Sequence, residues 1–300
     1  MSAPRVIGVD LGGTKILAGV VDRDGTVVVR HEVPTPTYSE ADLLEGLVAA
    51  IEPLAREGVA ALGFGIPSIL DRASGRALGS NNIPLEDVVL GEVMAERFGV
   101  PAAVENDANL ATLAEWRLGA GTGMDDLVML TLGTGVGGGV VIDGSLYRGW
   151  AELGHIVVVA DGPPCQGNCT GRGHLEVVAS GSAADRAAAR LWGEGAGAEL
   201  LVGRAQEGDA EALEALAGIG HLLGAAIGSL YNIFAPGLTV VGGGFGAAAL
   251  EYLLPAALEV ARREVVAEAA RGSVRIVPAT LGKDAGLIGA GLLALEALGG

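Results

Sequence analysis

The sequence predicts a two-domain α/β protein, and three observations carry that prediction. The chain has 300 residues, more than one hydrophobic core usually organises. Apolar runs bounded by turn residues alternate with helical patterns, as strands and helices of a sheet domain do. A phrase from the opening segment also returns nearer the middle of the chain, so the second domain reads as a copy of the first.

Taken in order, residues 5–10 (RVIGVD) form an apolar run ending in Asp10, followed by a Gly-rich turn over 11–14. A second run, 16–22, ends at Asp-Arg-Asp-Gly, and a third covers 26–33. Three such runs separated by turns predict consecutive antiparallel strands. Ser39 ahead of Asp42 is a variant capping box, and Leu43, Leu44, Leu47, Val48, Ile51 and Leu54 continue a helical pattern to near Gly58. A strand over 59–65 leads into Gly65-Ile66-Pro67 and an irregular segment, then a helix near 86–98. A strand over 101–105 runs into Glu105-Asn106-Asp107, and a helix follows from 108 to 118.

The segment VMLTLGTGVGGGVVIDG then repeats the outline of VIGVDLGGTKILAGVVDRDG: strand, Leu-Gly-rich turn, strand, Asp-Gly. Gly12 and Gly133 are equivalent, an offset of 133 − 12 = 121 residues. That spacing fits a duplicated domain and not a short-repeat solenoid. Helices are predicted near 180–192, 208–231 and 247–270, and strands near 238–242 and 274–277. A last helix of small residues, 284–298, is suited to packing back on the first domain. The expected domains are therefore 1–116 plus 284–300, and 117–283.

Composition narrows the function classes. Half the residues are hydrophobic but only 4% are aromatic, so Ala, Val, Leu and Ile must build the core. The 50 glycines show no collagen-like period, and many sit at the ends of apolar runs where turns belong. A net charge of -17 argues against binding nucleic acid or an anionic membrane through a broad basic surface. It leaves room for a phosphate ligand, which a few backbone amides and one Lys can hold. No basic stretch followed by an apolar one opens the chain, and runs such as 126–132 are short, so neither a signal peptide nor a membrane span is expected. Cytoplasm follows by default.

The motifs point to phosphoryl transfer. Gly12-Gly13-Thr14-Lys15 and Gly133-Thr134-Gly135 are Gly-rich turns, one per domain, where the missing Cβ lets backbone amides approach phosphate oxygens. Neither follows the Walker spacing. Each alone reads equally as a bare hairpin. The duplication, with Asp10 and Thr131 just ahead of the turns, favours a phosphate site. A third cluster, Gly242-Gly243-Gly244-Phe245-Gly246, follows a strand and opens a helix. It partly fits a dinucleotide fingerprint, but it stands near the end of the chain and not in a first βαβ unit. Asn106-Asp107 lies at a strand end opening a helix, where either residue serves as an N-cap. Phosphoryl transfer to an alcohol also needs a carboxylate there to take the hydroxyl proton.

Between Glu152 and Glu176 fall both cysteines and two of the four histidines, in the order His155-x9-Cys165-x3-Cys169-x4-His174. Two thiols and two imidazoles suit tetrahedral zinc, and a closed set of four ligands implies a structural ion. Free thiols or a short disulfide are the alternatives. His31 and His221 stand alone and read as ordinary surface or helix residues.

With these residues in view the chain resembles the ROK family (repressor, open reading frame, kinase), sugar kinases of the actin-like ATPase-domain superfamily. The resemblance runs through GVDLGGTK, GIPS, ENDANL, TLGTGVGGG, AELGH, the Cys/His loop with RGHLE, and GGGFG, covering nearly the full length. Glucokinases of the family look most similar. The resemblance implies two actin-like (ribonuclease H-like) domains with ATP and sugar in the cleft between them. It implies that Asp107 takes the proton from the 6-hydroxyl of a hexose and that Asn106 bonds a neighbouring hydroxyl, with Gly65 beside them. Glu152, His155 and Glu176 would hold the anomeric end. Gly12, Gly13, Thr14, Lys15, Gly133, Thr134 and Gly135 would face the phosphates of ATP, Gly243 and Gly244 the adenosine, and Asp10 the Mg2+ through water. His155 would serve both zinc and sugar.

The family's loop carries Cys-x-Cys-x4-Cys after its His. Here the first spacing is three and His174 stands in the last place. Repressors of the family carry a helix-turn-helix ahead of the first phosphate strand, which here starts at residue 5, and the acidic balance disfavours DNA. The expected function is ATP-dependent phosphorylation of glucose. Other hexoses or N-acetylhexosamines (N-acetylmannosamine, N-acetylglucosamine, fructose, allose), and polyphosphate as donor, stay open at this point. A homodimer or homotetramer is expected.

Overall fold

The computed structural model describes residues 5–55, 58–80 and 83–299. The chain forms two compact units. The first runs to Gly119, takes back Arg148–Trp150 and resumes at Lys283. The second comprises Ala120–Tyr147 and Ala151–Gly282.

Unit 1 contains β1 (Val6–Leu11), β2 (Lys15–Val21), β3 (Val27–Pro34), α1 (Glu40–Ala55), β4 (Ala61–Ile66), α2 (Leu90–Phe98), β5 (Ala102–Asn106) and α3 (Asp107–Leu118). Its sheet has the order β3-β2-β1-β4-β5. The β3-β2-β1 side is antiparallel, while β1, β4 and β5 run parallel. Alternation along the strands separates two faces. Ile7, Val9, Leu11, Leu62, Phe64 and Ile66 join one core with Leu43, Leu47, Ile51 and Met94 of α1 and α2. The other face carries Gly8 and Gly63, and α9 (Ala285–Ala297) packs there. A Cβ on Gly8 or Gly63 would collide with backbone atoms of Leu287 or Ala290, so only glycine admits this helix so close. The small-residue helix read at the chain's end thus serves the first sheet.

Unit 2 contains β6 (Leu127–Leu132), β7 (Val136–Ile142), β8 (Ser145–Leu146), α4 (Leu175–Val178), α5 (Gly181–Trp192), α6 (Ala198–Gln206), α7 (Ala210–Phe234), β9 (Leu238–Gly242), α8 (Gly244–Glu264) and β10 (Ile276–Pro278). Its sheet order is β10-β9-β6-β7-β8. The β8-β7-β6 side is antiparallel and β6, β9 and β10 run parallel, so the topology of unit 1 is repeated strand for strand. Helices α7 and α8 are long and apolar enough to cross a membrane by length and composition. Within unit 2 they pack on each other, and a Cβ on Gly220 or Gly224 would meet the backbone of Leu253 or Ala257. Leu216, Leu223, Ile227, Leu253 and Ala257 belong to the unit's buried core.

Candidate functional site

In unit 1 the candidate residues gather at the carboxyl ends of the three parallel strands, where open α/β sheets bind ligands. The register pairs Asp10 with Gly65 and Gly65 with Glu105. One residue further along β5, Asn106 caps α3: its Oδ1 accepts the amides of Ala108 and Asn109 at 3.0 and 3.2 Å. The cap is therefore Asn106, and Asp107 is the first residue of the helix. Gly65 sits against it, since a Cβ there would lie 3.6 Å from the Asp107 Cα. Burial pushes the Asp10 carboxyl up from its ordinary range, and the positive charge of Lys15 only partly opposes this. Asp10 faces the first turn of α9, where a Cβ on Gly286 would lie 2.8 Å from its Oδ2.

The Gly12–Thr14 turn joins β1 to β2. Thr35 braces it, donating its hydroxyl to the Gly12 carbonyl at 2.7 Å and its amide to the Thr14 carbonyl at 3.0 Å. Gly13 is half-buried and Thr14 is exposed. Lys15 opens β2 with its amine on Glu32, 2.8 Å away, and the pair is exposed.

Unit 2 places the second set together. In the β6–β7 hairpin turn, the Gly133 amide donates to the Gly135 carbonyl at 3.0 Å, and Thr134 is exposed. The first amide of α5, from Gly181, donates to the Gly133 carbonyl at 2.7 Å. Space around Gly133 is open. A Cβ on Gly135, in contrast, would overlap Glu176 Oε2, and that same oxygen accepts the Val136 amide at 3.3 Å. Glu176 Oε1 lies 3.9 Å from Cys165 Sγ. One carboxylate thus spans the hairpin turn and the cysteine loop. Gly243 holds φ +82 where β9 turns into α8, and Gly244 beside it has no neighbour that a Cβ would meet. No side chain caps α8, and the first amides of a helix have no partner within it.

The Cys/His loop converges. His155 Nδ1 lies 3.2 Å from His174 Nδ1 and 3.7 Å from Cys165 Sγ. His174 Nδ1 lies 3.2 Å from Cys165 Sγ and 3.7 Å from Cys169 Sγ. All four donor atoms lie within 4.8 Å of one another. A tetrahedron with metal–ligand bonds of ~2.0–2.3 Å has edges of roughly 3.3–3.8 Å; the four separations of 3.2–3.7 Å are close to this, and the full spread of 4.8 Å would close on a bound zinc. Without a cation, burial and the neighbouring Cys169 push the Cys165 thiol up to about 11. Glu152 is raised by burial, eased by His155 and raised again by Glu176, which puts both carboxylates and the imidazole in one electrostatic neighbourhood.

Sequence reasoning missed Thr35, Gly181 and the ion pair in which Arg72 Nη1 and Nη2 donate to the two oxygens of buried Glu105 at 2.7 Å each. Each of these contacts joins residues distant in sequence.

The ROK family profile matches residues 6–297. A glucokinase of Streptomyces coelicolor is 36% identical over 313 residues, covering 97% of each chain. The solved ROK family glucokinase of Streptomyces griseus, in complex with glucose and AMPPNP, is 35% identical, with a TM-score of 0.84 over 97% of this chain and 99% of that one. The ROK hexokinase of Thermus thermophilus is 37% identical, with a TM-score of 0.85 over 99% of this chain and 100% of that one. With the duplicated sheets, the two hairpin turns and the Cys/His cluster in place, the chain belongs to the ROK family.

Proposed function

We propose that the protein is an ATP-dependent hexose kinase that phosphorylates the 6-hydroxyl of glucose, with Asp107 as the base. The observation that carries the reading is the placement of Asn106 and Asp107 at the start of α3, at the carboxyl end of β5. Asn106 is the N-cap, while the Asp107 carboxylate, whose Oδ1 also takes the Ala108 amide at 2.8 Å, is held in place at the first turn of the helix. It stands where three parallel strands end and a glycine leaves room beside it.

Asp107 accepts the proton of the 6-hydroxyl as that oxygen attacks the γ-phosphorus of ATP, and ADP leaves. Asn106 uses its Oδ1 on the helix amides, so its Nδ2, 3.4 Å from the Ser68 carbonyl, is the group turned to a sugar hydroxyl. Glu152, His155 and Glu176 hold the anomeric end. We assign the phosphates of ATP to Gly12, Gly13, Thr14 and Lys15 and to Gly133, Thr134 and Gly135, and the adenosine to Gly243 and Gly244. Lys15 exchanges Glu32 for phosphate, an inexpensive swap for an exposed pair. Asp10 would hold Mg2+ through water, and the cation would neutralise charge on the phosphates. His155, Cys165, Cys169 and His174 would hold a structural Zn2+ that orders a loop of glycines and prolines. With Nδ1 of His155 given to the metal cluster, Nε2 remains for the sugar.

The test is Asp107→Asn. Loss of a general base lowers kcat by ~10²–10⁴, while the melting temperature and glucose affinity stay near those of the parent because the cap is intact. Turnover at the parental rate would remove Asp107 from the chemistry.

A further inference from the structure

Glu105, next to the proposed base, has no exposed surface. Its carboxylate nonetheless stays ionised: burial pushes it up, but Arg72, the Asn106 amide and Asn109 together bring it below its ordinary range. The Arg72 guanidinium grips it with both prongs, each at 2.7 Å. Oε1 also accepts the Asn106 amide at 2.9 Å and Asn109 Nδ2 at 3.1 Å. Asn109 is itself fully buried, and among the described residues its Oδ1 is a buried atom without a hydrogen-bond partner. Holding such an oxygen costs stability, so Asn109 is oriented for Glu105 and not for its own satisfaction. The whole arrangement ends on one peptide, the amide of Asn106, from which the cap and the Asp107 carboxylate both hang.

We infer that Arg72 is a positioning residue of the phosphoryl transfer: through the buried carboxylate of Glu105 it fixes the backbone that carries Asn106 and Asp107. The inference rests on Asp107 being the base. Arg72 is suited to the role because its planar fork sets the plane of the carboxylate as well as its charge. Its Nη2 also reaches the Gly149 carbonyl at 3.4 Å, a second anchor for the guanidinium within unit 1.

Arg72→Met and Arg72→Lys test this with two readouts. The kcat for glucose and ATP, measured per folded molecule, falls by about 10- to 100-fold in Arg72→Met, as expected when a reacting group is misplaced by about an ångström. The KM for ATP does not change. Arg72→Lys, which keeps the charge but not the fork, falls in between. Amide exchange at Asn106, Ala108 and Asn109 speeds up in both variants, without any substrate present. A salt bridge that only stabilises the fold would lower the melting temperature and leave kcat and these amides at parental values, which overturns the proposal. Should Arg72→Met fail to fold, Arg72→Lys decides by the same two criteria. A parent that phosphorylates no hexose would sink the kinase reading instead, and parental amide exchange in the variants would still overturn the positioning role.

Discussion

Asp10, the proposed Mg2+ residue, makes the fold less stable. Its carboxyl is raised by burial, and Lys15 lowers it only in part. A carboxylate whose folded pKa is raised destabilises the fold above that pKa, and the penalty vanishes as pH falls through it toward the ordinary value of 3.8. Asp10→Asn therefore melts higher than the parent at neutral pH, and the difference shrinks to nothing on acidification, while use of ATP collapses. Thermal melts across a pH series check the sign; a variant less stable than the parent at neutral pH contradicts it. Glu105 has the opposite sign, contributing stability above its unfolded pKa that is lost as pH falls through the depressed folded value. The sequence names Asp10 and Asp107 because each stands in a run of recognisable neighbours. It is silent on Arg72, which meets Glu105 only when the segment after β4 folds back over the end of β5.

The hairpin turns separate two predictions that look alike in sequence. Space around Gly133 is open, whereas a side chain on Gly135 would strike Glu176. Gly133→Val should thus raise the KM for ATP with little change for glucose, and Gly135→Val should raise both. Steady-state kinetics in each substrate distinguish them, and an unchanged ATP KM in Gly133→Val would make this turn a bare hairpin. The proposed zinc loop gives a parallel test. Cys169→Ala should lower zinc below one per chain by elemental analysis and weaken glucose binding. Because Glu176 joins Cys165 to the hairpin turn, a smaller loss of ATP affinity accompanies it. Zinc-free parent protein purified without chelator would sink the site. Strands and long helices were legible from their periodicity. Helix α6 was not, because Ala198–Gln206 is short and amphipathic between glycines, and neither was the two-residue strand β8. The helix expected over 247–270 begins at Gly244, where Gly243 supplies the left-handed turn, and ends at Glu264.

At the scale of the molecule, duplication is the organising fact. The offset of 121 residues between Gly12 and Gly133 also relates Val6 to Leu127 and Lys15 to Val136, the first residues of the paired strands (127 − 6 = 136 − 15 = 121). Each unit therefore offers a Gly-rich turn at the same place in the same sheet. The repeat was readable because both segments keep the order strand, Leu-Gly-rich turn, strand. Of what each copy added, the Cys/His loop in one was readable from its ligand spacing and the α9 packing in the other only from its small residues. The central claim is that this chain moves the γ-phosphoryl group of ATP to a hexose 6-hydroxyl. Phosphorus NMR of the purified protein with Mg-ATP and a panel of glucose, N-acetylmannosamine, N-acetylglucosamine, fructose and allose tests it directly. Glucose 6-phosphate is expected to form mole for mole with ADP, and fastest among the panel. ATP left unconsumed with every sugar, or ADP released with inorganic phosphate and no sugar phosphate, would contradict it.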